Sequence, residues 1–312
     1  MTNALEPNTV LGQRAYVTDG GVETDLIYRR GAELREFAAF PLLETSDGRA
    51  LLRSYFDDYA AIAAANGRAL LLESPTWRAN PDWGQLLGYS VEDLTRVNIA
   101  SIDFMSQLRD VHAGSVGDIL VSGSVGPRHD GYSPTASLDP DSAAEYHHPQ
   151  IAAFAAAHAD IATAYTLTHV GEAIGIVRAA RDVGLPVAVS FTVETDGRLA
   201  SGVSLADAID QVDAAAAPDY FLVNCAHPLH IQAALTDPGD WVTRIVGTRT
   251  NASTASHAEL DEAIERGDGD PSEFANANRR LMAQLPGLAI MGGCCGTDAR
   301  HIGALLGSLK KA

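Results

Sequence analysis

The chain has three cysteines, and two of them are adjacent: Cys225 lies in "VNCAHP", and Cys294 and Cys295 lie in "GGCCGT". Three thiols cannot all pair within one chain, and a reducing compartment disfavours disulfides, so these side chains are candidates for metal binding or catalysis. Zn²⁺ takes thiolates at about 2.3 Å in a tetrahedral site, and three protein ligands leave a fourth position for water or substrate. Neighbouring cysteines reach one ion only across a sharp backbone bend, for which Gly292, Gly293 and Gly296 supply torsional freedom. Two readings compete with zinc. Buried cysteines behave as small hydrophobes, and the adjacent pair could form a redox disulfide.

Side chains so far apart in sequence need elements that bring them together. Short β-branched runs recur along the chain, each followed by a segment with helical spacing. They are "RAYVTDGG" from Arg14, "ALLLESPTW" from Ala69, "DILVSGSVGP" from Asp118, "DIATAYTLTH" from Asp160, "PVAVSFTV" from Pro186, "DYFLVNCAHP" from Asp219, "RIVGTRTN" from Arg244 and "LAIMGGCCGT" from Leu288. Helical patterns such as "SVEDLTRVNIASIDFMSQL" and "SLADAIDQVDAA" separate them, with N-cap signals at Ser90 and Ser204. Eight strands alternating with helices predict an α/β fold, a (β/α)8 TIM barrel whose parallel eight-stranded barrel is surrounded by helices. An open doubly wound sheet is the runner-up, weakened because no G-x-G-x-x-G follows the first strand and "SGSVGP" resembles it only superficially. No Pro/Ser/Gly-rich linker breaks the alternation, so residues 1–312 read as a single domain. In a barrel the active site forms at the carboxyl ends of the strands, where Asp19, Glu73, Tyr165, Cys225, Cys294 and Cys295 all fall.

Lys and Arg number 22 against 40 Asp and Glu, a formal net charge of −18. This argues against nucleic acid, whose phosphates need clustered positive charge, and reads as a solvated acidic surface. The start "MTNALEPNTV" lacks the basic end and apolar run of a signal peptide, and no stretch of about 18 apolar residues occurs. A cytoplasmic protein without membrane contact is expected, with small molecules as its partners. Homo-oligomers are compatible with this composition.

"VNCAHP" with "GGCCGTDARHI" resembles the paired signature of the zinc-dependent homocysteine S-methyltransferase family. "TDGG" near the start, "SGSVGP" after the third strand and the "SF" of Ser190 and Phe191 follow in the family's order, so the resemblance covers nearly the whole chain. It implies a (β/α)8 barrel with Zn²⁺ held by Cys225, Cys294 and Cys295. Coordination to zinc deprotonates a thiol whose free pKa is about 8.5. Three thiolates make the ion a poor Lewis acid but suit it to keep a substrate thiolate ionised and nucleophilic. The implied activity is transfer of a methyl group to the thiol of homocysteine, forming methionine. Relatives that use methyl-folate carry further large domains, and those that use betaine carry a longer C-terminal arm. The expected donor is therefore a sulfonium, S-methylmethionine or S-adenosylmethionine. Alternatives are the same chemistry with another thiol or with betaine, or a non-catalytic zinc or thiol-binding protein.

The resemblance places Asp19, Gly20 and Gly21 beside the amino-acid substrate, where glycines permit close approach and backbone N–H groups could hold a carboxylate. Glu23 could bind an ammonium or face water, and Glu73 could contact ligand or form an ion pair. Asn224 could orient its loop or donate to substrate. His227 is a tempting fourth ligand, rejected because it would fill the substrate's position. Thr297 and His301 read as structural, with Thr297 capping the helix that follows. One departure stands out. Where the family commonly has a glutamate that helps hold the substrate amino acid, alignment on Glu172 and Ala173 puts Tyr165, which cannot balance an ammonium.

Overall fold

The computed structural model describes residues 10–12, 14–131, 139–262 and 269–310. Eight parallel strands close in chain order: β1 (Tyr16–Val17), β2 (Ala69–Glu73), β3 (Ile119–Val125), β4 (Ile161–Leu167), β5 (Val187–Phe191), β6 (Tyr220–Asn224), β7 (Ile245–Thr250) and β8 (Ile290–Gly293). β8 pairs back onto β1 through Tyr16 with Ile290 and Val17 with Met291, so the sheet has no edge. Each predicted run contributes one strand, and the described residues include eleven α-helices around them.

The period of two along a strand decides which side chains reach the lumen. Ala69 and Leu71 of β2, Ile161 of β4, and Tyr220 and Leu222 of β6 form one apolar cluster, and Tyr165 belongs to it. Continuing the same faces brings Glu73, Tyr165 and Asn224 to the carboxyl end of the barrel. The opposite strand faces pack on the helices in a larger cluster that includes Leu70, Leu72, Val187, Val189, Phe221 and Val223.

The helix signals are borne out. Ser90 and Asp93 form a capping box at the start of helix Val91–His112, and the Ser204 hydroxyl accepts from the Asp207 N–H at the start of helix Leu205–Ala216. Among the described residues no helix is long and apolar enough to cross a membrane.

Candidate active site

The ends of β6 and β8 carry the three thiols to one place. The Sγ atoms of Cys225, Cys294 and Cys295 all lie within 4.8 Å of one another. The expectation of unpaired cysteines is corrected here: Cys225 and Cys294 form a disulfide, and Cys295 lies buried outside that bond. Convergence explains the pairing, because the two Cα atoms stand 5.3 Å apart, within the span of a disulfide, although 69 residues separate them. Cys225 and Cys295 place their sulfurs 3.9 Å apart. Thiolates sharing a tetrahedral zinc sit about 3.8 Å apart, given Zn–S near 2.3 Å. With the disulfide reduced, the donor set fits one zinc ion.

Two bends make this convergence possible. One falls on Gly296, at φ 76°. The other falls on Cys225 itself, at φ 53°, where a side chain is strained. Its carbonyl oxygen holds it there, accepting from Asn251 Nδ2 at 2.9 Å and lying 2.6 Å from His257 Nε2. Asn224 secures the neighbouring strand: its Oδ1 accepts from the Thr166 N–H at 2.9 Å and from Ser190 Oγ at 2.6 Å. Thr166 also has a positive φ, 62°, where β4 and β5 shift register. These bonds let Asn224 orient its loop, and its Nδ2 also donates to Thr166 Oγ1 at 2.9 Å.

Asp19 is buried and its oxygens are engaged by protein. Oδ1 pairs with Arg249 Nη2 at 2.6 Å and accepts from Thr18 Oγ1, while Oδ2 accepts from Tyr55 Oη at 3.0 Å. The Gly21 N–H donates to the Thr297 carbonyl, so it is not left exposed for a carboxylate. A Cβ at Gly21 would come within 2.5 Å of the Cys294 carbonyl oxygen. The glycine there serves close packing of the β1 loop on the cysteine loop.

Arg249, near the end of β7, was not singled out in the sequence. It lies buried inside the site, donating from Nε to the Gly293 carbonyl at 3.0 Å and from Nη2 to the Gly20 carbonyl at 2.9 Å. Its guanidinium also stands 4.9 Å from the centre of the Tyr165 ring. A charged residue at the end of the apolar run "RIVGTRTN" was the available signal.

Tyr165 donates to Glu73 Oε1 at 2.5 Å. Glu73 Oε2 is buried without a hydrogen-bond partner. A single cavity is lined by the cysteines together with Asp19, Glu23, Glu73, Tyr165, Asn224 and Arg249.

A sequence model of the family described as Homocysteine S-methyltransferase matches residues 16–308. The chain belongs to the homocysteine S-methyltransferase family. Membership makes it a thiol S-methyltransferase, and the cavity with its three sulfurs is the candidate active site of that enzyme. The metallated form of the homocysteine methyltransferase MmuM from Escherichia coli aligns with TM-score 0.77 at 20% identity, covering 97% of this chain and 100% of that one. Its oxidised form gives 0.76 at 20% identity, with 97% and 99% covered. The apo form gives 0.70 at 21%, with 96% and 98% covered. No curated protein sequence matches the chain.

Within this S-methyltransferase the remaining expectations sort by contact. His227 lies outside the sulfur cluster, and its Nδ1 accepts from the Leu229 N–H at the start of helix Pro228–Ala234. The cap of the last helix, Ala299–Leu309, is Asp298 and not Thr297, a correction of one residue. Thr297 instead donates from Oγ1 to the Cys294 carbonyl at 2.7 Å and closes the turn over that cysteine. His301 is structural, 3.0 Å from Asp298 through Nδ1. Glu23 lines the cavity and stays partly exposed.

Burial pushes the Glu73 carboxyl up to about 7, outweighing Arg249, Tyr165 and Ser122, which favour the ionised form. A carboxyl raised on folding binds its proton more tightly folded than unfolded, so the stability it contributes at low pH is lost as pH rises through about 7. Glu73→Gln is therefore expected to stabilise the ligand-free protein above pH 7 and to match wild type near pH 4. Denaturant unfolding at both pH values checks this, and an equal difference at both would remove Glu73 as its source.

Proposed function

We propose that this enzyme transfers a methyl group from a sulfonium donor, S-methylmethionine or S-adenosylmethionine, to the thiol of homocysteine, forming methionine, and that it depends on zinc. The observation that carries this is the convergence of Cys225, Cys294 and Cys295 within 4.8 Å of one another on the wall of one cavity. The names of the MmuM structures, a homocysteine methyltransferase with a metallated form, support the reading. Cys225, Cys294 and Cys295 would hold the zinc, which when bound supplies ionisation of the acceptor thiol at neutral pH.

The chain's own residues do the positioning. Asn251 and His257 hold the bent Cys225 through its carbonyl, and Thr297 holds Cys294 through its own. Arg249 ties the β1 and β8 ends together, so the cysteine loop and the Asp19 loop keep one spacing. Asp19 is committed to Arg249 and Tyr55 and does not serve as a base. None is needed once the acceptor thiol has lost its proton. Glu23 on the cavity wall suits a cationic donor, and a sulfonium leaves as a neutral thioether. The same reading takes the chain as one barrel domain in the reducing cytoplasm, where Cys225 and Cys294 stay open.

Methionine formation from homocysteine tests this. Turnover is expected with S-methylmethionine or S-adenosylmethionine and not with methyltetrahydrofolate lacking cobalamin. Robust turnover with betaine alone would replace the sulfonium donor. A bound thiol with no methionine from any donor would favour a zinc or thiol-binding protein.

A further inference from the structure

The carboxylates lining the cavity are not equivalent. Asp19 is committed on both oxygens, to Arg249 and Thr18 on one side and to Tyr55 on the other. Glu23 is partly exposed, and although burial pushes its carboxyl up to about 7 as well, neither of its oxygens is among the buried atoms left without a partner. Glu73 is 4% exposed, and its two oxygens differ: Oε1 takes the Tyr165 hydroxyl at 2.5 Å, and Oε2 has no partner. A buried acceptor left without a donor costs on the order of 1–3 kcal/mol, and more when it is charged. Glu73 lines the cavity, and a donor brought by a ligand would satisfy this oxygen once binding uncovers it.

The lumen geometry says which part of a ligand can answer. Glu73 and Tyr165 terminate inward faces of β2 and β4, whereas the cysteines close the cavity from β6 and β8. A ligand whose sulfur lies at the cysteines can extend its far end toward the Glu73–Tyr165 pair. Arg249 stands against the Tyr165 ring, so a cation at Tyr165 itself would meet its charge. The place for an ammonium is Glu73 Oε2, the buried acceptor left without a partner.

We propose that Glu73 reads the amino group of the thiol acceptor through Oε2, and that Tyr165 is a positioning residue that holds the carboxylate by Oε1. This rests on the acceptor being an amino-acid thiol, as in the function above. The carboxylate that balances the ammonium comes from β2, and a tyrosine on β4 orients it. The raised proton affinity of Glu73 fits a carboxyl whose burial outweighs the help of Arg249, Tyr165 and Ser122, so that a ligand cation would be needed to hold it ionised.

The test is calorimetric binding of homocysteine and of 4-mercaptobutanoate, its des-amino analogue, to reduced zinc-loaded protein without donor. Wild type should prefer homocysteine. In Glu73→Gln, which keeps the shape and a partner for the Tyr165 hydroxyl, that preference should fall at least tenfold, about 1.4 kcal/mol. Tyr165→Phe should reduce the same ratio by a smaller factor, whereas a merely structural tyrosine would weaken both thiols alike. Glu23→Gln should leave the ratio near wild type. An unchanged ratio in Glu73→Gln, or a collapse in Glu23→Gln alone, overturns the assignment of Glu73. Failure of wild type to bind either thiol would overturn the acceptor reading beneath it.

Discussion

Cys294→Ser is expected to strip most of the zinc from the reduced protein and to abolish methyl transfer while the barrel stays folded. Wild type should hold about one Zn²⁺ per chain, the stoichiometry of a single three-thiolate site with an open position. A serine hydroxyl stays protonated at neutral pH and is a poor substitute for a thiolate. The remaining pair, Cys225 and Cys295, lie 3.9 Å apart but leave two positions to be filled by weaker ligands. His227 lies outside the sulfur cluster, where it caps helix Pro228–Ala234 through Nδ1, and so is not gathered with the remaining sulfurs. Loading must follow reduction, because the Cys225–Cys294 disulfide takes two of the three sulfurs out of play. Metal content per chain, read beside circular dichroism, checks both halves of the expectation. Full zinc occupancy in a Cys225, Cys294, Cys295 triple serine variant would end the zinc reading. Unfolding on metal loss would recast the site as structural.

Arg249→Met should cost about 3–5 kcal/mol of stability, the scale for removing one partner of a buried ion pair. The side chains of Arg249 and Asp19 are 9% and 4% exposed, so the carboxylate left behind could not recover its hydration. Two carbonyls, those of Gly20 and Gly293, lose their donor in the same variant. The spacing between the Asp19 loop and the cysteine loop should loosen as a result, and zinc affinity should fall with stability. An Asp19→Asn, Arg249→Met double variant is expected to regain part of the loss, since no lone charge remains buried. Denaturant midpoints for the two singles and the double give the coupling. A single variant within about 1 kcal/mol of wild type would show that the pair does not brace the site.

The legible part of the fold was its periodicity. Runs such as "ALLLE" and "YFLVN" announce buried parallel strands through uninterrupted apolar residues, and Ser90 and Ser204 announce helix starts through local hydrogen bonding. Those signals act over a few residues, which is why sequence alone carries them. The three cysteines were legible for a related reason: their types are rare in this chain, and their places at strand ends follow from the strand pattern. Arg249 was not, since its value comes from Asp19, Gly20 and Gly293, and Asp19 lies 230 residues away along the chain.

By itself the sequence determined the barrel, the strand ends that carry the thiols, and the family, because hydrophobic period and residue type are written locally. Tertiary structure alone decided what each polar residue at those ends does. It committed Asp19 to Arg249, turned Gly21 into a packing contact against Cys294, moved the last helix cap from Thr297 to Asp298, and left one oxygen of Glu73 unanswered beside Tyr165. The reason is that a buried polar group takes its role from whichever donors and charges closure of the barrel brings within hydrogen-bonding distance, and these come from strands far apart in the chain.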